Sequence, residues 1–179
     1  MSPSSVRGEN AAGPTNVHHG APLAGYHRVV FQSASDLVDA TTVVRFSGLT
    51  NSDADYERYL VAISDFDRKF RDRDAPVMVV IVEPGNETPN ALWRKRFAVA
   101  AAEVKSKALF ILVTDSSVVR GVMRAIDWIR PFAIETAAAS TFEEAVELAE
   151  RRRGWPLPSL AELRRRVLAS GSNQQPTRS

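Results

Sequence analysis

The sequence has 179 residues, of which 44% are hydrophobic and 25% are charged, which is typical of a globular protein with one domain and some appended segments. Its formal net charge is only +2, from 23 basic and 21 acidic residues. The net charge of the chain therefore does not indicate a polyanionic partner. The absence of cysteine excludes disulfides, thiol catalysis and cysteine-ligated metal centres.

The first 25 residues are rich in Ser, Pro, Gly, Ala and Asn, so we predict a disordered arm over residues 1–25. This arm lacks the apolar core of a signal peptide, and no apolar run in the sequence approaches the roughly 18 to 20 residues that span a bilayer. We therefore predict a cytoplasmic protein without a membrane span. His18 and His19 have no further ligand beside them, so we predict no metal site.

Two runs rich in β-branched and aromatic residues follow, YHRVVFQS (26–33) and TTVVRFSG (41–48). The short segment between them predicts an antiparallel pair of strands. Ser52 and Asp55 then have the spacing of a capping box, which marks the start of a helix. Apolar residues recur at helical spacing after this cap: Tyr56, Tyr59, Leu60, Ile63, Phe66 and Phe70.

The centre of the predicted sheet consists of two continuous apolar runs, 77–82 (VMVVIV) and 108–113 (ALFILV). Neither run has a polar alternate face, as expected of strands that helices cover on both sides. Between them we predict a helix whose apolar face carries Trp93, Phe97, Ala100 and Val104.

The segment DSSVVRGVMRAIDWIRP (115–131) predicts a third helix, with Ser116 as its cap and Pro131 at its end. Gly121 and Trp128 lie two turns apart on the border between its apolar and polar faces. They either complete the edge of the core or form an anchor for a partner, because Trp and Arg dominate binding hot spots. The arginines on the polar face of this helix are Arg120 and Arg124.

A last strand is predicted in FAIETAA (132–138), followed by a helix that Thr141 and Glu144 begin with a second capping box. The complete order is ββαβαβαβα. We therefore predict an α/β domain over residues 26–153, with a mixed, mainly parallel sheet, an N-terminal antiparallel pair and about four helices.

The C-terminal part is predicted to lie outside this domain. Two prolines make residues 154–158 a linker, and residues 159–169 form a short basic amphipathic helix that Ser159 and Glu162 begin with a capping box. Residues 170–179 are predicted to be a disordered tail.

The loops that follow the central strands show no catalytic motif. EPGNETPNALW has one glycine and no lysine, which excludes a P-loop, and no G-x-S-x-G surrounds Ser116 or Ser117. Glu83 and Asp115 follow equivalent strands, but two carboxylates without a third ligand or a histidine do not define a metal or acid-base site. We therefore predict a protein that is not an enzyme and has no cofactor.

Two arginine triplets form the remaining charge signal. The first, 151–153, ends a helix, where the macrodipole favours cations. The second lies within the C-terminal helix and is interpreted as a solvated face, since nucleic-acid binding favours basic residues interleaved with aromatics. A nucleic-acid or acidic partner held by this helix is kept as the third hypothesis. Its residues are Arg164, Arg165 and Arg166.

The order of elements, together with FSGLTNSDADYERYL, VVRGVMRAIDWIRP and STFEEAVELA, resembles the SpoIIAA-like branch of the STAS superfamily over about residues 26–153. The resemblance implies a non-catalytic protein, since anti-sigma-factor antagonists bind partner proteins, often under control of phosphorylation. Some relatives are similar to CRAL-TRIO-type lipid-binding domains. In that family a serine at the start of the helix after the third strand is the phosphorylated residue. Here the corresponding segment is GNETPNALW, where Thr88 supplies the hydroxyl and the Asp-Ser-Ser-Gly pattern is missing.

Our leading hypothesis is a regulatory or scaffolding module that binds a partner protein through Thr88 to Arg96 or through the helix of Gly121 and Trp128. The predicted contact residues are Thr88, Trp93, Arg96, Arg120, Gly121, Arg124 and Trp128. The alternative is a carrier of a lipid or other small apolar ligand. In that case the aromatic residues would line a cavity: Phe66, Phe70, Trp93 and Phe97.

Overall fold

The computed structural model describes residues 30–121 and 134–172. The predicted N-terminal arm and the residues Arg124 and Trp128 lie outside this part of the chain. The strands are β1 (Val30–Asp36), β2 (Thr41–Ser47), β3 (Val77–Val82), β4 (Leu109–Val113) and β5 (Glu135–Ala139). The helices are α1 (Asp53–Phe70), α2 (Ala91–Glu103), α3 (helical over 117–121 and described that far), α4 (Phe142–Arg153) and α5 (Ser159–Ser172).

The five strands form one sheet in the order β1-β2-β3-β4-β5. β1 and β2 are antiparallel, and the other three pairings are parallel. This confirms the predicted α/β class with its N-terminal antiparallel pair. The carboxyl ends of the four parallel strands lie at one edge of the sheet, where ligands bind in open α/β folds.

Two hydrophobic cores cover the two faces of the sheet, because successive side chains of a strand point to opposite faces. Val44 and Met78 belong to the first core, which lies under α1 and α2. Val43 and Val79 belong to the second core, which lies under α4 and α5. The continuous apolar runs predicted for β3 and β4 are thus explained by helices on both sides.

Helix starts follow the predicted cap chemistry in α1 and α4. The Ser52 and Asp55 side chains form a reciprocal capping box at α1. Thr141 accepts a hydrogen bond from the Glu144 backbone N–H at the start of α4. The Glu144 carboxylate, however, accepts from the backbone N–H of Ser140 instead of closing the box on Thr141.

The C-terminal helix α5 is not an appendage, contrary to the sequence prediction. Leu157, Leu160, Leu163 and Val167 are fully buried in the second core against the sheet. The predicted amphipathic pattern of α5 is therefore present, but its apolar face packs against the sheet of the main domain. The two prolines break the helix without separating α5 from the domain.

The predicted cap of α5 is also wrong. Ser159 is the first residue of the helix, and its hydroxyl lies 2.9 Å from the hydroxyl of Thr41. Its backbone N–H donates to the carboxylate of Asp39 at 3.3 Å. A carboxylate from the β1–β2 turn thus takes the place of a local cap, while Glu162 pairs with Arg165 and Arg166. Across the described ranges, no helix is long and apolar enough to cross a membrane.

Candidate functional site

A cavity of about 170 Å³ lies between the sheet and helices α1 and α2, towards the carboxyl edge of the strands. Its walls are almost entirely apolar, and a few polar side chains from the loops after β2 and β3 border it. The described lining residues are Phe46, Asn51, Tyr56, Tyr59, Ile63, Val80, Val82, Asn86, Glu87, Pro89, Arg94, Phe97, Ala98, Ala101, Phe110, Leu112, Val119, Ile134 and Thr136.

The wall formed by α1 and α2 is a cluster of aromatic rings. Phe97 meets Tyr56 and Tyr59 edge-on, with ring centroids 5.5 and 5.2 Å apart. Tyr59 in turn meets Phe46 of β2 at 5.3 Å. Edge-to-face contacts of this kind favour fixed ring positions, so this side of the cavity has a defined shape.

The loops after β2 and β3 are joined beside the cavity by two asparagine side chains. Asn51 donates to the Asn86 carbonyl oxygen at 2.6 Å, and Asn86 donates back to Asn51 at 3.2 Å. Asn86 also donates to the backbone carbonyl of Gly48, and the Glu87 backbone N–H donates to Leu49. These bonds hold both loops in place at the carboxyl edge of the sheet.

Two of the residues that line the cavity are tyrosines whose pKa is raised. Burial raises the pKa of Tyr56, opposed by the hydrogen bond from Asn51 and reinforced by the negative charge of Glu87. Burial alone raises the pKa of Tyr59 well above its usual range. The Tyr59 hydroxyl makes no hydrogen bond with any residue in the described ranges.

Arg94 and Glu87 are the two charged residues among the described residues that line the cavity. One guanidinium N–H of Arg94 donates to the backbone carbonyl of Pro89 at 2.7 Å. Neither Arg94 nor Glu87 forms an ion pair within the described part of the chain. The cavity therefore combines an apolar body with two residues of opposite charge, neither of which is paired with another described residue.

The segment from Thr88 to Arg96 borders this cavity, but its residues differ in accessibility. Thr88 is half-buried between two lining residues, Glu87 and Pro89. Trp93 is only 3% exposed and its indole N–H donates to Asp53 at 2.7 Å. The predicted contact at Trp93 is thus corrected: its ring joins α2 to α1 and does not offer a surface.

Arg96 is the accessible member of this predicted group. Its guanidinium forms two hydrogen bonds with the carboxylate of Glu57 and lies 4.3 Å from the ring centroid of Trp93. Arg96 therefore faces away from the cavity, towards the groove between α1 and α2.

The start of α3 also reaches the cavity, through Val119. Ser116 caps this helix as predicted, since its hydroxyl accepts from the Val119 backbone N–H at 3.3 Å. Arg120 donates to the backbone carbonyl of Thr114 at 2.8 Å. Gly121 is exposed, and nothing in the described structure lies within 4 Å of a Cβ built on it. Val119 thus brings the start of α3 to the same cavity as the segment from Thr88 to Arg96, while the rest of the predicted segment from Gly121 to Trp128 lies outside the described residues.

The other candidate groups form ion pairs, and the basic face of α5 as a partner site stays a prediction. Glu83 accepts from the guanidinium of Arg45, at 2.8 Å from Arg45 Nε. Arg164 pairs with Glu143 at 2.7 Å, and Arg165 and Arg166 pair with Glu162. Within residues 30–121 and 134–172, no group of three or more His, Asp or Glu side chains could hold a metal ion.

A shallow groove separates the outer sides of α1 and α2. Its floor includes Leu60 and Val104, and Leu92 and Val99 are exposed on the α2 side. The described charged residues that line it comprise four cations and two carboxylates: Arg68, Arg71, Lys95, Arg96, Asp67 and Glu103.

Sequence reasoning missed most of the cavity residues. Of the four aromatic residues proposed to line a cavity, only Phe97 does so, while Phe66 and Phe70 pack against each other in the first core. Asn51 and Asn86 could have been found, since each lies in a loop that follows a parallel strand. No family model, curated protein or solved structure matches this chain.

Proposed function

We propose that this protein is a non-enzymatic module that binds a small apolar molecule in the cavity between the sheet and helices α1 and α2. The observation that carries the proposal is the apolar cavity of about 170 Å³ at the carboxyl edge of the parallel strands. Packed protein interiors contain few voids larger than a water molecule. An engineered apolar cavity of about 150 Å³ stays dry and binds benzene.

The sequence favoured binding of a partner protein, and the cavity favours the alternative of a ligand carrier. The relation to the STAS superfamily, the cytoplasmic location and phosphorylation of Thr88 stay predictions. Thr88 lies between two lining residues, Glu87 and Pro89. A phosphate on Thr88 would therefore add negative charge beside the cavity.

Binding of fluorobenzene, followed by ¹⁹F NMR, tests the proposal. Ala98 lines the cavity, so the larger side chain of Ala98→Leu is expected to fill it and abolish binding. Ala91 is exposed at the start of the same helix, so Ala91→Leu is the matched control and should bind like the wild type. Thermal unfolding of each variant establishes that it is folded.

Two outcomes contradict the proposal: no binding to the wild-type protein, or equal binding by the wild type and a folded Ala98→Leu variant. In either case the cavity is not a ligand site.

Partner binding remains a second candidate, favoured by the groove between α1 and α2. Its exposed Leu92 and Val99 and the exposed cation Lys95 fit an amphipathic helix, which would place apolar side chains on the floor and a carboxylate beside Lys95. A partner retained by the wild type and by Val61→Glu, on an exposed site of α1, but lost by Leu92→Glu would support this function. Equal retention by both variants would oppose it.

A further inference from the structure

Resting on the proposed function, we infer that the cavity selects aromatic carboxylates: a benzene-sized ring lies among the aromatic side chains, and Arg94 binds the carboxylate. This inference specifies the chemical class of the ligand and the residue that recognises its charged group.

The ring is indicated by the composition of the cavity walls. Aromatic rings attract one another in edge-to-face and offset geometries because of their quadrupoles, in addition to the area they bury. A planar ring in this cavity would make such contacts on several sides, whereas an alkyl chain would gain only the burial. The lining rings are Phe46, Tyr56, Tyr59, Phe97 and Phe110.

A carboxylate on the ligand is indicated by Arg94, whose guanidinium has no carboxylate partner among the described residues. Arg94 is a half-buried residue that lines the cavity, and a single N–H of its guanidinium is used, by the carbonyl of Pro89. Its other donors meet no acceptor in the described parts of the chain. Arg45 and Arg96 differ, because each is paired with a carboxylate. The first turn of α2, where Arg94 lies, carries no acidic residue that could serve as a counter-ion.

A planar guanidinium with free N–H groups matches a carboxylate, which can accept two parallel hydrogen bonds. The neutral hydroxyls of Tyr56 and Tyr59 add donors that an anion can use. The competing charge is Glu87, which would favour a cationic ligand. Glu87 is exposed and hydrated, whereas Arg94 is half-buried and gains more from a counter-ion, so the balance favours an anion.

The test compares three ligands that share a 4-fluorophenyl ring: 3-(4-fluorophenyl)propanoate, 3-(4-fluorophenyl)propan-1-ol and 2-(4-fluorophenyl)ethylamine. Dissociation constants are measured by ¹⁹F NMR for the wild type, Arg94→Gln and Lys95→Gln. Lys95 is the matched control, because it is the adjacent cation on α2 and lines the outer groove. Thermal unfolding shows whether each variant is folded.

We expect the wild type to bind the acid more tightly than the alcohol or the amine. Arg94→Gln should raise the dissociation constant of the acid about tenfold to hundredfold, as expected for the loss of a hydrogen bond to a charged group, and should leave that of the alcohol unchanged. Lys95→Gln should leave all three constants unchanged. This pattern would establish that Arg94 recognises the carboxylate of the ligand.

The inference fails if Arg94→Gln binds the acid like the wild type, or if the amine binds best, which would assign selection to Glu87. In both cases the alcohol still binds, so the proposed function stands. If none of the three ligands binds the wild type while fluorobenzene does, the inference fails and the proposed function stands. If fluorobenzene does not bind either, the proposed function is overturned as well.

Discussion

The carboxylate of Asp67 in α1 accepts a hydrogen bond from the backbone N–H of Ser106, 39 residues further along the chain, at 2.9 Å. The same oxygen accepts from the N–H of Lys105 at 2.8 Å, and the other oxygen accepts from Arg71 at 2.6 Å. A nearly buried carboxylate thus joins α1 to the loop that leads from α2 into β4.

This arrangement predicts acid sensitivity at Asp67. Burial raises the pKa of Asp67, but the hydrogen bonds from Arg71, Ser106 and Lys105 and the charge of Arg71 together lower it below its usual value. A carboxyl whose pKa is lower in the folded state stabilises the protein above its unfolded pKa of about 4, and this contribution is lost as pH falls through the folded pKa. We expect Asp67→Asn to cost about 1 to 3 kcal/mol at pH 7, with a smaller difference from the wild type below about pH 4.

Urea unfolding at several pH values measures this effect. Asp65→Asn is the control, since Asp65 forms only an exposed pair with Arg68 on the same helix. A difference between Asp67→Asn and the wild type that is independent of pH would contradict the assignment.

Helix α5 should be essential for the stability of the domain. Leu160 is fully buried in the second core, so Leu160→Ala should lower the free energy of unfolding by about 2 to 5 kcal/mol. Leu168, on the same helix, is 41% exposed, and Leu168→Ala should change stability by less than about 0.5 kcal/mol. Equal unfolding midpoints for the two variants, or an unchanged midpoint after truncation at Gly154, would show that α5 is dispensable.

The tyrosines that border the cavity should resist ionisation. Burial raises the pKa of Tyr56 and Tyr59, so neither should titrate near the ordinary value of about 10 in the folded protein. The stabilisation from their neutral forms is complete below that pH and is lost as pH rises through their folded pKa values. A Tyr26→Phe background removes the third tyrosine.

In that background, absorbance at the phenolate wavelength should rise only at pH values above the ordinary tyrosine pKa of about 10. The rise should coincide with loss of the circular dichroism of the folded state. Tyr59→Phe should remove part of this high-pH change. A reversible titration near pH 10 with the fold intact would show that these rings are not buried as described.

Two glycines with almost the same backbone conformation provide a matched pair. Gly85 has φ of 81° and Gly154 has φ of 80°, a region that costs other residues about 1 to 2 kcal/mol. A Cβ at Gly154 meets open space, whereas one at Gly85 lies 3.0 Å from the side chain of Leu49. Because the contacted atom is the end of the exposed Leu49 side chain, which can move aside, we expect Gly85→Ala and Gly154→Ala to destabilise equally, by about 1 to 2 kcal/mol each.

Thermal and urea unfolding compare the two variants directly. A much larger loss for Gly85→Ala would mean that Leu49 is held in place by the loops beside the cavity and cannot move aside.

The sequence by itself determined the elements and their order. Cap residues such as Ser52 and Thr141 act on N–H groups three residues away, and the apolar runs of β3 and β4 reveal that helices cover both faces. Such signals are local, so they can be recognised from residues that are close in the sequence. The α/β class and the antiparallel pair predicted from them are confirmed.

Only the tertiary structure decided which side chains meet. The Trp93 indole bonds with Asp53, 40 residues away, and Ser159 bonds with Asp39, 120 residues away. Because of such long-range contacts, Trp93 is buried and α5 packs against the core of the domain. The cavity beside Arg94 likewise depends on how α1 and α2 lie on the sheet, because an empty volume is left by the packing of several elements and has no residue pattern of its own.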